Sequence, residues 1–373
     1  MKLAISKNEL QKGLTRIQSI VEKRNTMPIL ANVLLDATDK KTKQLTLCAT
    51  DLEVGIRSSH PAEVKAGGKT TVSAKKFYEI VRELPDEPVS LEVMQNAYLQ
   101  IACDRARFVL AGNAADEYPT LPNFGSGKTS PIQAILLSEM IERTMYAASA
   151  DETRYNLNGV YFEQLADSGK ARMVATDGHR LAVVDRVLGG RIDGLESGVI
   201  IPRKGLAELK RLLDEEDSDE IQLGFEGNSA LVRKDDVTLV MRLIEGEFPN
   251  YQQVIPRETS INLIVPVEAL SRALRRVSLL SAERSRAVKL ELVDAQLRLS
   301  SNNPDLGDAK DELDVDYAGD PLTVAFNARY LADALNSVKV KEVALGFKDA
   351  TSPARLTPAG DDDALAVVMP MRI

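Results

Sequence analysis

Hydrophobic residues recur at helical spacing in six stretches of the chain. The pattern is clearest in TVSAKKFYEIVRELP (71–85), IIPRKGLAELKRLLD (200–214) and VAFNARYLADALNSV (324–338). In each, apolar residues fall on one face of a 3.6-residue repeat, as Leu206 and Leu209 do in the second. An extended apolar run and a capping residue or proline precede each face. This pattern predicts a strand that leads into an amphipathic helix.

The six stretches are spaced evenly enough to indicate an internal repeat. Their predicted starts are 61 to 67 residues apart and lie near Ser6, Ser73, Ser138, Pro202, Pro266 and Asn327. A fixed period of this kind is typical of a chain built from copies of one structural unit.

Between the predicted helices the apolar period changes to two, as in Leu45 and Leu47. Alternation of this kind predicts half-buried antiparallel strands. Two helix-plus-strand units give a domain of ordinary size, and clusters of Pro, Gly and polar residues at 116–131 and 246–260 mark the boundaries. We therefore predict an α+β protein of three similar domains, each with two helices packed on antiparallel sheets. The predicted domains are 1–126, 127–254 and 255–373.

Charge is distributed unevenly between these elements. The six helical stretches sum to +9, whereas the whole chain carries −8. A basic surface on an otherwise acidic protein favours a negatively charged ligand. The basic residues predicted to face that ligand are Arg16, Lys23, Arg24, Lys75, Arg82, Arg203, Lys204, Lys210, Arg275 and Arg276. The alternative is that these charges only solvate helix surfaces.

Helix dimensions limit what six such helices can surround. Packed side by side at about 10–12 Å each, six leave a bore of about 10 Å, and twelve leave about 30 Å. A duplex is too wide for the smaller bore, since its major groove alone is about 12 Å across. Two chains joined head to tail supply twelve helices and close without open growth. The pattern is thus consistent with a ring dimer that holds DNA through its phosphates, without base readout.

Composition adds limits on location and redox chemistry. No apolar run approaches the roughly 18 residues of a membrane span. The start, MKLAISKNEL, lacks the apolar region of a signal peptide, so we expect a cytoplasmic protein. Cys48 and Cys103 lie in alternating apolar segments and are predicted to be buried thiols rather than a disulfide or metal site.

Two features imitate enzymes. GSGKT at 125–129 resembles a phosphate loop, but the first glycine of the full pattern is replaced by Pro122, and no strand–helix context is predicted. Asp177 and His179 offer acid–base groups without an associated nucleophile. We predict no catalytic residue, no metal and no cofactor. The alternatives are an enzyme that uses one of these segments and a monomeric peptide-binding scaffold.

Five segments carry a resemblance to a known family over the whole chain. They are RNTMPIL (24–30), ATDGHRLAVV (175–184), VIIPRKG (199–205), EFPNYQQV (247–254) and VVMPMRI (367–373). Together they resemble the bacterial DNA polymerase III beta subunit, the sliding clamp. The resemblance implies a non-catalytic ring homodimer that encircles double-stranded DNA and tethers polymerases and repair proteins. It also implies loading by an ATP-driven clamp loader.

The resemblance further implies a pocket that binds short peptides of partner proteins. Its members here are Leu157, Thr176, Gly178, His179, Arg180, Leu181, Pro249, Val254, Val367, Val368, Met369, Pro370, Met371 and Arg372. Gln253 stands where some relatives have Arg, so that edge of the pocket is expected to contact peptides differently. Pro353 aligns only loosely as a pocket wall.

The resemblance also implies a dimer contact. It pairs Phe108 and Leu110 of the first domain with Leu279 and Leu280 of the third. Charged residues are expected to flank this contact, with Lys76, Arg105 and Arg107 facing Asp305, Asp308 and Glu312. The alternative is that these leucines are ordinary core residues and the charges are surface.

Overall fold

The computed structural model describes residues 1–21, 27–39, 41–120, 128–166, 168–195, 197–215, 218–282 and 285–372. Six α-helices lie within these ranges, and none of them is long and apolar enough to cross a membrane. They are α1 (Lys7–Ile17), α2 (Ala74–Glu83), α3 (Ala134–Thr144), α4 (Arg203–Leu213), α5 (Val267–Ser278) and α6 (Ala328–Asn336).

Five of the helices begin where the sequence pattern placed them. Ser6, Ser73 and Asn327 cap α1, α2 and α6, each accepting a backbone N–H of the first turn through its side-chain oxygen. The predicted start of the third helix at Ser138 is wrong by one turn. Strand β11 (Ser130–Gln133) runs directly into α3 at Ala134, and Ser138 lies inside the helix.

The strands of the first third of the chain are β1 (Lys2–Ile5), β2 (Asn32–Asp36), β3 (Gln44–Thr50), β4 (Val54–Pro61), β5 (Glu63–Ala66), β6 (Lys69–Ser73), β7 (Val89–Val93), β8 (Leu99–Cys103), β9 (Ala106–Leu110) and β10 (Gly112–Asn113). The middle third adds β11, β12 (Gly159–Gln164), β13 (Ala171–Thr176), β14 (Arg180–Arg186), β15 (Val199–Pro202), β16 (Glu220–Glu226), β17 (Ser229–Lys234) and β18 (Val237–Arg242). The last third adds β19 (Ile261–Pro266), β20 (Ala287–Val293), β21 (Gln296–Asn303), β22 (Gly307–Asp314), β23 (Leu322–Asn327), β24 (Glu342–Phe347), β25 (Ala354–Pro358) and β26 (Ala364–Val368).

One compact unit comprises Met1–Ala134, Ile192–Gly194 and Lys204–Leu243. It contains a five-stranded sheet in the order β5-β1-β7-β8-β9 and a nine-stranded sheet in the order β10-β6-β2-β3-β4-β18-β17-β16-β11. The apolar faces of α1 and α2 are fully buried at Leu10, Leu14 and Phe77. Antiparallel pairing of β4 with β18 makes the larger sheet continuous from the first third of the chain into the middle third.

The other unit comprises Ile135–Arg191, Leu195–Arg203 and Ile244–Ile373. It contains an eight-stranded sheet in the order β15-β12-β13-β14-β26-β25-β24-β19 and a four-stranded sheet in the order β22-β21-β20-β23. Helices α5 and α6 bury Leu274, Val277 and Leu331 in its core. Here β14 pairs with β26, so this sheet is continuous from the middle third into the last.

The middle third of the chain therefore contributes to both units. Its sheets are hydrogen-bonded at β4–β18 and at β14–β26, so contacts do not divide the chain into the three predicted pieces. The predicted boundaries after residues 126 and 254 stay a prediction. The prediction for the two thiols is confirmed, since Cys48 and Cys103 are both free and buried.

Candidate functional site

The tight turn between β13 and β14 is closed by its own side chains. The Asp177 carboxylate accepts the backbone N–H groups of His179 at 2.9 Å and of Arg180 at 3.1 Å. The Thr176 hydroxyl donates to the Arg180 carbonyl at 2.6 Å and accepts the Gly178 N–H at 3.1 Å. Gly178 has φ of 85°, a region that glycine adopts without steric strain. This segment, the His179 turn (Thr176–Arg180), is thus fixed locally.

Arg180 anchors the His179 turn to α6. Its side chain is only 10% exposed and contacts two carboxylates, Asp177 at 3.0 Å and Asp333 at 2.6 Å. Its guanidinium also lies 4.6 Å from the ring centroid of Tyr330 and 5.5 Å from that of Tyr146. Burial raises the pKa of Tyr146, against the opposing effects of its hydrogen bond with Ser337 and of the Arg180 charge. The cation is thus fully partnered.

The C-terminal segment passes along the same turn. Strand β26 pairs with β14, placing Val368 opposite Arg180 and Val367 opposite Leu181. The Met369 N–H then donates to the His179 carbonyl at 2.9 Å, and the Met371 N–H donates to Ala325 of β23 at 2.8 Å. Met369 keeps 37% of its surface exposed. The tail therefore presents an apolar side chain beside the turn.

A small buried cluster lies under the segment 247–254. Val174, Leu181, Val183, Tyr251 and Val367 form this cluster, against which Phe248 and Tyr161 pack. The rings of these last two stack at 5.1 Å. The segment is thereby held on the sheet by aromatic packing.

A polar network fixes the same segment. The Tyr251 hydroxyl donates to Glu163 at 2.6 Å and accepts from Arg172 at 3.1 Å. Arg172 contacts both oxygens of Asp185 at 2.7 Å. Burial, together with the Glu163 carboxylate, raises the pKa of Tyr251. This anchoring leaves Val254 at the end of the segment 44% exposed.

The short 3-10 helix Tyr155–Leu157 connects these parts. The Arg154 side chain donates to the Asp177 carbonyl at 2.7 Å, and Asn156 donates to the Glu247 carbonyl at 3.1 Å. Leu157 itself is 8% exposed. The turn, the tail, the 247–254 segment and this helix all belong to one unit, as do all the predicted pocket residues, including Pro249, Pro370 and Arg372.

Sequence reasoning missed three residues of this site. Tyr330 stacks on His179 with ring centroids 6.2 Å apart, Asp333 binds Arg180, and Tyr155 is 60% exposed beside the 247–254 segment. In the sequence, Tyr330 and Asp333 belong to an ordinary amphipathic helix. Only tertiary packing brings them to the turn.

The arrangement suits the binding of a short apolar peptide. Val254, Met369 and Tyr155 are exposed apolar side chains, and flexible Met side chains adapt to varied partners. The backbone of β26 already pairs with β14 on one side and β25 on the other, so exposed side chains rather than strand addition make the contact surface.

Acid–base chemistry is less well supported at this turn. The carboxylate of Asp177 already binds two backbone N–H groups and Arg180. The other histidine, His60, contacts Ser58 at 2.8 Å and Glu9 at 3.0 Å. Ser58 is fully buried, so this serine–histidine–carboxylate arrangement is closed to a substrate.

The predicted ligand-facing basic residues fall into two groups. Several already have a carboxylate partner: Arg16 with Glu215, Lys75 with Glu79, Arg82 with Glu83, Lys204 with Asp51, Lys210 with Asp214, and Arg276 with Asp311. Arg203 and Arg275 are exposed and make no ion pair with any residue that the structure describes. Lys23 and Arg24 lie outside the described residues, as does most of the GSGKT segment.

The predicted dimer residues lie at sheet edges and helix ends. Phe108, 40% exposed, and Leu110 are on β9, the edge strand of the five-stranded sheet. Leu279, 78% exposed, and Leu280 follow α5. An edge strand of the four-stranded sheet, β22, begins two residues after Asp305 and contains Asp308 and Glu312. Arg107 lies in β9 and Arg105 directly precedes that strand. Lys76 is paired with Glu79. Exposed edges with apolar side chains are typical of interfaces.

The fold and the site together define a multidomain α+β binding protein. Comparison with known proteins makes the class specific. Models of the DNA polymerase III beta subunit match the chain in three pieces: the N-terminal domain over residues 1–122, the central domain over 132–250 and the C-terminal domain over 252–372. The chain thus consists of three clamp domains.

Full-length relatives agree. The beta sliding clamp of Caulobacter vibrioides strain NA1000 is 36% identical over 377 residues, and that of Vibrio cholerae is 35% identical over 375, with both chains fully covered in each comparison. Among solved structures, DnaN sliding clamps bound to griselimycin from Pseudomonas aeruginosa and Bartonella birtlesii cover the whole chain with TM-scores of 0.92 and 0.94, at 34% and 37% identity. The chain therefore belongs to the DNA polymerase III beta subunit family, the beta sliding clamps, which are non-catalytic processivity factors.

Proposed function

We propose that two copies of the chain close head to tail into a ring that encircles duplex DNA and holds the replicative polymerase on it. The observation that carries the ring is the pair of open sheet edges, β9 with Phe108 and β22 with Asp308. Each copy offers one edge of each kind, so two identical contacts complete the ring. Leu279 and Leu280 then cover Phe108 and Leu110, and Arg105 and Arg107 face the acidic residues of β22.

The DNA contacts are the basic helix residues without a strong internal partner. Arg203 and Arg275 lead this group, with Arg24 added from the family motif and Lys23 as its neighbour in the chain. Four further basic residues contact DNA by exchanging their carboxylate partners for phosphate: Lys75, Arg82, Lys210 and Arg276. Surface ion pairs of this kind contribute only about 0–1 kcal/mol each. Arg16 and Lys204 are left out, because each is partly buried against a carboxylate. Their charge is already neutralised within the fold.

The site around the His179 turn docks partner proteins through short peptides. The exposed Met369 and Val254 beside a rigid turn support this role. The partners are the clamp loader, the replicative and other polymerases, and repair proteins. Griselimycin, which is bound to the two relatives above, is a suitable competitor for the same site. The domains run over 1–126, 127–254 and 255–373, and the protein acts in the cytoplasm at the nucleoid.

Retention on DNA of different topology tests the ring. The chain and its loader are incubated with nicked circular plasmid, which is then separated by gel filtration. We expect a dimer in sedimentation, retention on circles at moderate salt and release when the plasmid is cut. A stable monomer at micromolar concentration, with equal recovery from circular and linear plasmid, would contradict the ring and favour a monomeric scaffold. Calorimetry with ATP addresses the enzyme alternative, since a clamp binds none.

Removal of residues 369–373 tests the docking site. The truncation deletes the Met369 and Met371 contacts with His179 and Ala325 but leaves β9 and β22 untouched. We expect at least about ten-fold weaker binding of a labelled polymerase tail peptide, with an unchanged dimer in sedimentation. Unchanged peptide affinity would remove the docking assignment.

A further inference from the structure

The packed helices α5 and α6 leave a groove whose lining includes Arg275, a proposed DNA contact, and Leu279, a proposed dimer contact. Its volume is about 680 Å³, and its charged lining side chains are three arginines, Arg275, Arg286 and Arg329. No carboxylate lines it among the described residues. Within the same part of the chain, Arg275 and Arg286 make no ion pair. Among the described residues, the groove thus holds three cations, of which only Arg329 lies near a carboxylate, that of Asp333.

The chemistry of the groove selects its ligand. A guanidinium fork matches the geometry of phosphate oxygens, and several forks around one concavity favour an anion with oxygens on more than one side. The hydroxyls of Ser278 and Ser281 already donate to the carbonyls of Arg275 and Ser278, so they add no free donor. Recognition therefore rests on charge and guanidinium geometry, as in binding to a phosphodiester backbone.

One side chain joins this groove to the His179 turn. Arg329 lies one helical turn before Asp333, and its guanidinium is 3.8 Å from the carboxylate. The same Asp333 oxygen binds Arg180 at 2.6 Å. Asp333 is therefore shared between an exposed arginine of the groove and the buried arginine of the docking site.

We infer that the groove between α5 and α6 binds a phosphodiester of the encircled duplex, and that Asp333 couples its occupancy to peptide docking. A phosphate in the groove attracts Arg329 away from Asp333, which leaves that carboxylate to Arg180 alone. Asp333 then attracts Arg180 without competition from Arg329, and the His179 turn becomes more rigid. A peptide that binds a more rigid turn loses less conformational freedom. The inference rests on the proposed function, because it takes the duplex as the source of phosphate.

Linkage requires the effect to be reciprocal. If the duplex raises the affinity for peptide, peptide must raise the affinity for duplex by the same factor. The shared contact is a solvent-exposed ion pair, which limits the coupling to a small factor of about three.

Anisotropy titrations of the full-length dimer test both parts of the inference. A labelled polymerase tail peptide is titrated with and without a short blunt duplex, and the labelled duplex is titrated at several salt concentrations. For the wild-type chain we expect about three-fold tighter peptide binding with duplex present. Arg286→Gln should lower the slope of log K against log salt by about one and weaken duplex binding, with peptide binding alone unchanged. Arg272→Gln, an exposed α5 residue paired with Glu268 outside the groove, is the matched control and should change neither.

Asp333→Asn tests the link separately. It should keep the duplex affinity within about two-fold and abolish the three-fold effect of duplex on peptide binding. Persistence of that effect would overturn the coupling. An unchanged salt slope in Arg286→Gln and Arg275→Gln would overturn the phosphate site, and a weaker dimer in those variants would assign the groove to the second copy. A chain that shows the expected salt slopes but is not retained on circular plasmid contradicts encirclement, while phosphate binding by the groove stands.

Discussion

The His179 turn and the α5–α6 groove use arginine side chains in opposite ways. At the turn, Arg180 is 10% exposed and contacts two carboxylates and two aromatic rings. In the groove, Arg275 and Arg286 are exposed and have no ion pair within the described residues. A partnered, buried arginine stabilises a structure, whereas an unpartnered one keeps its charge for a ligand. Whether an arginine has a carboxylate partner therefore distinguishes a structural role from a ligand-binding role better than the number of charges does.

The same distinction applies to the other unit. Arg16 contacts Glu215 with a side chain that is 10% exposed, and Lys204 contacts Asp51, whose side chain is 2% exposed. These cations lie on basic helices, yet each neutralises a carboxylate of its own unit. The helix charge of the sequence therefore overstates the charge that remains for DNA.

The largest expected difference between the two regions concerns stability. Arg180→Met leaves Asp177 and Asp333 without their shared cation, and loss of one partner of a buried pair costs about 3–5 kcal/mol. Arg286→Met removes an exposed charge and should change the free energy of unfolding by at most about 0.5 kcal/mol. Urea denaturation followed by tyrosine fluorescence measures both. Equal losses of unfolding free energy in the two variants would contradict the distinction between Arg180 and Arg286.

A smaller effect is expected at the aromatic ring above Arg180. Tyr330→Leu keeps an apolar side chain on α6 but removes the stacking on His179 and the cation–π contact with Arg180. These two contacts together contribute about 1–2 kcal/mol of interaction energy. We expect about five-fold weaker peptide binding in anisotropy. Tyr98→Leu, at an exposed position in the other unit, is the control and should leave peptide binding unchanged. Equal peptide affinity in the two variants would remove Tyr330 from the site.

The turn should also respond to alkaline pH, and the groove should not. Burial raises the pKa of Tyr146 above its ordinary value of 10.0. A group whose pKa is raised in the folded state contributes stability that is present below the unfolded pKa. That contribution is lost as pH rises through the folded pKa. The wild-type chain should therefore lose more stability than Tyr146→Phe as pH increases above about 10. Urea midpoints that fall in parallel for both proteins would contradict this.

The smallest effect is expected in duplex binding by single helix arginines. Arg203→Gln removes a charge that has no ion pair among the described residues, and should lower the salt slope of duplex binding by about one. Arg16→Gln removes a charge already neutralised by Glu215 and should leave the slope unchanged. A larger change for Arg16 than for Arg203 would show that an internal partner does not decide availability.

Local pattern predicted the elements well. The apolar faces of α1, α2, α4, α5 and α6 and the alternation of the strands follow from short-range spacing, and the structure places these elements where expected. The start of α3 was predicted at Ser138 because serine is a common cap, whereas β11 leads into the helix at Ala134. The residue before α3 is Gln133, which is not one of the common capping residues, so the pattern pointed to the serine one turn further on. Direct entry from a strand is not the cause, because β6 and β23 also run straight into α2 and α6.

The docking site was predicted through family motifs and only in part. Arg180 and Asp333 are 153 residues apart, and Arg16 and Glu215 are 199 apart, so no local pattern connects them. An aspartate on an amphipathic helix predicts a solvated surface until the fold brings a cation to it. Which basic residues stay free for DNA is likewise decided by tertiary partners.

A topological crosslink tests the ring around DNA most directly. Cysteines at Arg107 and Asp308 replace one predicted charge on each open edge, and a short bismaleimide joins them between two copies after loading on circular plasmid. Buried Cys48 and Cys103 are protected from the reagent. The account predicts that the crosslinked protein stays with circular plasmid in denaturing detergent and is released when the plasmid is cut. Release from the intact circle despite complete crosslinking would contradict it.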